Sequence, residues 1–138
     1  MMRIDNLTEE LERMALKYCR LLECDGTSNV LSYYLKMIGI KHECFIGSVY
    51  FLDQKVYPHF WIETQDLIID FKTRIWLGDD APQGVMFKDD VKASNLSYAK
   101  DKVITLTGGK MLIDLQEKQF REAQEREEFN SNLNVNRI

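Results

Sequence analysis

The chain has 138 residues, of which 45% are hydrophobic and 11% aromatic, a composition that is typical of one globular domain and excludes a disordered or fibrous protein. The 18 basic and 22 acidic residues give a net charge of −4, which argues against nucleic acid as a partner, because binding to the phosphate backbone needs a basic surface. No apolar run approaches the roughly 20 residues that cross a bilayer and no secretory signal begins the chain, so we expect a cytoplasmic protein without a membrane partner.

Apolar residues at helical spacing predict two helices at the start of the chain. Leu7, Leu11 and Tyr18 fall on one helix face, so a first helix should bury that face. The pattern breaks at residues 23–26, where a second helix should begin. Gly39 is placed to end it, because glycine readily adopts the left-handed conformation that stops a helix.

Apolar residues next predict a sheet. Strands are expected over residues 44–51, with a bulge at Gly47, and over 56–63 and 67–71, with the last two joined as a hairpin. Apolar residues show no regular spacing over residues 72–99, so we expect a loop with one short helix there.

The end of the chain predicts one more strand and one more helix. The strand should cover residues 103–106, and the helix should begin near Lys110 with an apolar face that fades along its length. We therefore expect a single domain over residues 1–129 and a frayed tail over residues 130–138. The order of helices, strands and a last helix favours an α+β fold with an antiparallel sheet.

The chemistry of the chain depends on its three cysteines, Cys19, Cys24 and Cys44. An odd number without a secretory signal indicates free thiols and not a disulfide framework. Cys24 stands where the second helix should begin, beside unpaired N–H groups and the positive end of the helix dipole, which stabilise a thiolate. Cys19 on the first helix and Cys44 in a strand are most simply core residues.

A nucleophilic thiol needs an imidazole base within reach, and the imidazole needs a carboxylate that fixes its tautomer. His59 begins one apolar strand of the predicted hairpin and Asp70 closes the other. The two side chains should therefore lie opposite each other near the open end of the hairpin, about 5 Å apart. The pattern predicts a Cys24, His59 and Asp70 triad, with Asp70 near the rim of a groove.

The order of these motifs resembles the core of the transglutaminase-like superfamily of papain-fold thiol enzymes. That core combines a cysteine that leads a helix, a Gly-Ile helix end, a His-x-Trp-x-Glu strand and an Asp that closes the next strand. The matching positions here are Cys24, Gly39-Ile40, His59–Glu63 and Asp70. The small size and the Ile-Gly-Ser-Val strand are most similar to bacterial leader-peptidase components of lasso-peptide maturation.

The resemblance implies a papain-like fold in which N-terminal helices pack on an antiparallel sheet. It implies that Cys24 is the nucleophile, His59 the general base and acid, and Asp70 the residue that orients the imidazole, with Trp61 and Glu63 supporting their strand. The implied protein is a thiol hydrolase or acyltransferase, of cysteine peptidase or amidase type, that works through an acyl-enzyme. Its substrate would be a peptide, a protein or a small amide or thioester, and no cofactor is implied.

Three aromatic side chains are expected to contact the substrate. The resemblance implies an oxyanion-hole side chain upstream of Cys24, and Tyr18 is the candidate on the first helix. Tyr57 and Trp76 are candidates for the lining of a groove.

Two alternatives stay open at this point. His42 and Cys44 are possible zinc ligands, to which Cys19 or Cys24 could be added, although structural zinc sites favour paired cysteines and we expect no metal. The same fold could instead serve as a non-catalytic binding or adaptor module. A sulfur-to-imidazole contact between Cys24 and His59 would favour the enzyme.

Overall fold

The computed structural model describes residues 4–136, which form helices on a five-stranded sheet. The helices are α1 (Ile4–Tyr18), α2 (Cys24–Met37), α3 (Thr73–Leu77), α4 (Lys88–Ala93) and α5 (Gly109–Asn136). The strands are β1 (Glu43–Phe51), β2 (Gln54–Glu63), β3 (Leu67–Asp70), β4 (Gly84–Phe87) and β5 (Leu96–Ile104). The predicted α+β class with an antiparallel sheet is confirmed, and α5 packs on α2.

The sheet is antiparallel throughout, in the order β4-β3-β2-β1-β5. β2 and β3 form the predicted hairpin, in which Ile62 lies opposite Ile69. Both strands also have a second neighbour, β1 for β2 and β4 for β3. The two strands that carry His59 and Asp70 are therefore interior strands, with backbone hydrogen bonds on both sides.

Side chains that alternate along the strands enter two separate cores. One core lies between the sheet and the N-terminal helices and includes Leu11, Leu31 and Ile62. The other includes Trp61 and Leu96. Because successive strand residues point to opposite faces of a sheet, the neighbours Trp61 and Ile62 belong to different cores. Full burial of each such side chain stabilises the fold by about 2 kcal/mol.

Two glycines occupy positions where another residue would be strained. Gly39 has a φ of 78° just after α2, and its N–H donates to the Lys36 carbonyl at 3.1 Å, which ends the helix as predicted. At Gly47 the predicted bulge is present, because the pairing of β1 with both neighbours shifts register there. A Cβ atom on Gly47 would lie 2.2 Å from the Ala99 carbonyl oxygen. The close approach of β1 and β5 therefore requires glycine.

Residues 72–99 are more regular than the sequence predicts. They form α3, β4, α4 and the first half of β5, where we expected a loop with one short helix. The first three of these elements are four to six residues long, too short to establish a period. β4 and β5 exist because they pair with β3 and β1, and this pairing is not visible in the local sequence.

α5 continues to Asn136, past the end of the predicted domain. Phe129 and Leu133, one turn apart, are both exposed, so neither of these two side chains holds the helix to a core. Asn and Ser cost at most about 0.7 kcal/mol each in a helix, and an established helix extends through such residues easily. Residues 130–136 of the expected tail are thus helical, its fraying stays a prediction, and residues 137–138 lie outside the described part.

α5 has 28 residues and is strongly charged. Within residues 4–136, no helix is both long enough and apolar enough to cross a membrane.

Candidate active site

Cys24 is the first residue of α2, as predicted. The preceding Glu23 has an extended backbone and its side chain makes no capping hydrogen bond, so it leaves the first N–H groups of the helix without a side-chain cap. α2 packs against β2, the strand that carries His59. The half-buried thiol therefore lies at the positive end of the helix dipole with partial access to solvent.

His59 and Asp70 form a buried pair on one face of the sheet. His59 Nε2 lies 2.8 Å from Asp70 Oδ2, and the two residues are 0% and 3% exposed. The predicted register is wrong by two residues, because Ile62 opposite Ile69 places Trp61, and not His59, across from Asp70. The pair still forms, because His59 and Trp61 are two residues apart and share a face.

Two further donors hold the Asp70 carboxylate. The Tyr98 hydroxyl donates to Oδ2 at 2.8 Å, and the Lys72 backbone N–H donates to Oδ1 at 3.0 Å. Sequence reasoning missed Tyr98, which lies on the part of β5 that was predicted as loop. The alternation of Leu96 and Tyr98 is too short to identify a strand, and nothing local links Tyr98 to Asp70. With three hydrogen bonds, the carboxylate has a fixed orientation.

Three effects set the pKa of His59. Burial by itself lowers this pKa, but the hydrogen bond to Asp70 and the proximity of Cys24 raise it, as do the charges of both groups, to about 9. Asp70 occupies Nε2, and Nδ1 is buried with no hydrogen-bond partner among the described residues. Nδ1 is thus the ring nitrogen available to the thiol. The structure brings Cys24, His59 and Asp70 together.

We expect the His59 ring to stay doubly protonated at neutral pH. A pKa raised from 6.5 to about 9 means that the cationic form persists between these two values and is lost only as the pH rises through 9. Ring ¹⁵N chemical shifts, followed from pH 6 to 10, report this titration. In Asp70→Asn the carboxylate that stabilises the cation is gone, and the midpoint should move to lower pH. A wild-type ring that is neutral at pH 7.5 would contradict the assignment.

The other two thiols are less accessible. Cys19 is 1% exposed, and its burial raises the pKa of its thiol to about 11. Cys44 is also buried, which raises the pKa of its thiol. Both positions agree with the prediction that these residues belong to the core. Cys24 is therefore the accessible thiol of the three.

His42 has partners that account for both of its ring nitrogens. Nε2 lies 2.7 Å from the Ser32 hydroxyl and Nδ1 lies 2.8 Å from the Ile40 carbonyl oxygen. In residues 4–136, His, Cys, Asp and Glu side chains form no group of three or more that could hold a metal ion. The arrangement around His42 gives no support to the zinc alternative.

Of the three predicted substrate contacts, Tyr18 is buried in the core, and Tyr57 and Trp76 are exposed. The Tyr18 hydroxyl donates to Glu117 on α5, so its use in an oxyanion hole would require this bond to break. Tyr57 is 56% exposed and its hydroxyl donates to Asp101 at 3.2 Å, while Trp76 is 61% exposed on α3. Among the described residues, no hydrogen bond or ring contact joins these three aromatic side chains to the triad. Their role in substrate binding stays a prediction.

Trp61 and Glu63 support the strand that carries His59. The Trp61 indole stacks on the His59 ring at 6.5 Å and donates from Nε1 to Glu63 at 2.8 Å. Lys88 and Lys100 each place Nζ 3.1 Å from the same carboxylate. Burial raises the pKa of Glu63, but these three donors more than offset it and lower the value. The Glu63 carboxylate therefore holds the Trp61 indole, which packs beside the His59 ring.

The site combines a thiol at a helix start, an imidazole and a carboxylate held by three donors, which are the groups that a nucleophilic thiol requires. The thiol and the imidazole come from different layers, since Cys24 belongs to a helix and His59 to the sheet. Comparisons of the chain with protein-family models, curated proteins and solved structures find no match.

Proposed function

We propose that this protein is a thiol hydrolase or acyltransferase that uses Cys24, His59 and Asp70. The observation that carries the proposal is the His59 ring, which is bound on one side by Asp70 and neighbours Cys24 with its remaining nitrogen free of other partners. A structural histidine needs one partner for each polar nitrogen. A ring nitrogen kept for a thiol is typical of nucleophilic catalysis.

The proposed reaction has two steps. The Cys24 sulfur attacks an amide or thioester carbonyl, the bond to the leaving group breaks, and His59 gives its proton to the departing amine or thiol. Water or an acceptor amine then attacks the thioester, His59 takes up its proton, and the Cys24 sulfur leaves. The backbone N–H at the start of α2 is the candidate donor to the oxyanion.

Asp70 sets which nitrogen of the imidazole takes part. Its carboxylate accepts the proton on Nε2, so in the neutral ring Nδ1 is the basic nitrogen. The Tyr98 and Lys72 donors hold the carboxylate in place during both steps. Asp70 thus acts as a positioning residue and stabilises the imidazolium.

The architecture extends this proposal to a family and a substrate class. The resemblance to transglutaminase-like enzymes implies one particular arrangement. In it, a helix begins at a cysteine and packs on a strand with His59, and the neighbouring strand ends in Asp70. A peptide or protein amide is then the proposed substrate, as in leader-peptidase-type proteins. The second candidate is a binding module of the same fold, favoured by the complete burial of the His59 ring.

The test is turnover of p-nitrophenyl acetate by the full chain. An enzyme should release many equivalents of p-nitrophenolate per chain, because His59 promotes hydrolysis of the acetyl thioester on Cys24. Cys24→Ala should reduce the release to the buffer rate, whereas Cys19→Ala, the matched thiol control, should keep turnover. Release of no more than one equivalent, or equal rates in the two variants, would favour the binding module.

A further inference from the structure

A pocket of about 410 Å³ opens between the C-terminal half of α1 and the segment that follows β3. Its lining includes Cys19 and Arg20 on the side of α1 and Lys72 and Arg74 on the other side. The reaction proposed above assigns no role to the side chains that line this pocket. Its chemistry is set by the one charged group that is buried in its wall.

Lys72 is a buried lysine without an acidic partner. The residue is 9% exposed, and its Nζ donates to the Cys19 carbonyl at 2.8 Å. Within the described part of the chain, no carboxylate forms an ion pair with this ammonium group. An ammonium group has three N–H donors, so two remain without a protein partner. Burial of a charge is costly unless the charge is paired, and this site therefore favours an anion.

The rest of the lining strengthens the positive charge. Arg20 and Arg74 are exposed at the pocket, and Glu12 is the only acidic residue of the lining. Arg74 uses its Nε to bind the Ala81 carbonyl, which leaves its terminal nitrogens for a ligand. Three cations and one anion leave the pocket with an excess of two positive charges.

The pocket also offers apolar surface. Leu16 and Ile75 line it and are 70% and 61% exposed. Exposed aliphatic side chains beside a cationic centre fit a ligand that carries an apolar group next to an acidic one. An inorganic anion would leave this surface uncovered.

Both walls of the pocket adjoin elements that carry the candidate triad. The Lys72 backbone N–H is one of the donors to Asp70. On the other wall, the Cys19 thiol lies beside Thr27, which is three residues after Cys24 in the first turn of α2. A ligand in the pocket therefore lies next to the elements that carry the nucleophile and the orienting carboxylate.

We propose that this pocket binds a carboxylate of the substrate, so that the protein acts on acidic peptides in which an aliphatic residue adjoins the carboxylate. This inference rests on the proposed function, because only an enzyme has a substrate. The binding of the carboxylate can be measured without any reaction. The carboxylate can be an acidic side chain or the end of a peptide chain, and Lys72 recognises both through the same charge-assisted hydrogen bonds.

The test measures binding to the full chain carrying Cys24→Ala, which cannot react. The probes are acetyl-Leu-Glu-amide and its neutral isostere acetyl-Leu-Gln-amide, titrated in ¹H–¹⁵N correlation spectra. We expect the acidic peptide to bind at least about tenfold more tightly and to shift the amide signals of residues 71–75 and 19–20. A third probe, acetyl-Leu-Gln with a free carboxyl end, distinguishes the two sources: tighter binding than that of the acidic amide assigns the pocket to a chain end, weaker binding assigns it to an acidic side chain, and equal binding shows that it accepts both.

Variants locate the recognition within the pocket. Lys72→Met should remove the preference for the acidic peptide, whereas Glu12→Gln should strengthen it. Lys102→Met, which removes one exposed positive charge elsewhere, should leave both affinities unchanged. Arg20→Gln, a surface change that spares the fold, should reduce the preference in part and covers the case in which Lys72→Met does not fold.

Equal affinity of the unsubstituted pocket for the acidic and neutral peptides would overturn the proposal, as would signals that shift elsewhere. Because this experiment uses an inactive thiol variant, its outcome is independent of the esterase test. A preference for the acidic peptide without ester turnover would reject the enzyme and keep the pocket. Ester turnover without the preference would support the enzyme and reject the proposed pocket.

Discussion

Asp70→Asn is expected to lower ester or amide turnover by about 10⁴-fold, the effect of the same change in a triad carboxylate. The Asp70 carboxylate accepts the proton of His59 Nε2 at 2.8 Å and so leaves Nδ1 for Cys24. An amide at this position can present its own N–H to the ring, and the imidazole is then free to adopt the unproductive tautomer. Steady-state kinetics with p-nitrophenyl acetate, on protein shown to be folded by circular dichroism, measures the loss.

The same change should also destabilise the fold. Asp70 is 3% exposed and accepts three hydrogen bonds, so it is not at a groove rim as the sequence suggests. Removal of one partner of a buried charged pair costs about 3 kcal/mol in the free energy of unfolding. Chemical denaturation of both proteins at one pH gives this difference.

Glu63→Gln is the matched control for this prediction. It also removes a buried carboxylate with three donors, but Glu63 binds Trp61, Lys88 and Lys100 and makes no contact with the imidazole among its recorded hydrogen bonds and ion pairs. It should lower stability and keep turnover within about tenfold of the wild type. Near-normal turnover in Asp70→Asn, or an equal loss in the two variants, would show that Asp70 has only a structural role.

Iodoacetamide at pH 6.0 to 6.5 is expected to alkylate Cys24 at least about tenfold faster than Cys19 or Cys44. Alkylation needs a thiolate that the reagent can reach. Cys19 and Cys44 are 1% and 5% exposed, and burial raises the pKa of both thiols. Cys24 is half-buried at a helix start, next to His59. Peptide mapping by mass spectrometry follows the three thiols in one sample.

Two histidine variants show whether the selectivity comes from the site. His59→Ala removes the cation beside Cys24 and should slow its labelling. His42→Ala removes a ring that binds Ser32 and the Ile40 carbonyl, and it should leave the labelling of Cys24 unchanged. Three thiols that react at one rate, or labelling of Cys24 that does not depend on His59, would argue for the binding module.

The parts of the site that are encoded by local patterns could be predicted from the sequence. The start of α2 at Cys24, its end at Gly39 and the hairpin that carries His59 and Asp70 follow from apolar periodicity and turn chemistry over ten to twenty neighbouring residues. Such patterns act within one element or between adjacent elements. The three candidate site residues could therefore be named from the sequence.

Tertiary structure alone decided how the triad is held and what lies beside it. The Tyr98 hydroxyl reaches Asp70 because β5 pairs with β1, across a sheet order that no local pattern specifies. The cationic pocket exists because the Cys19 carbonyl, just after α1, accepts a hydrogen bond from the side chain of Lys72, 53 residues later in the chain. Contacts at that separation depend on the packing of the whole domain, and short-range periodicity carries no information about them.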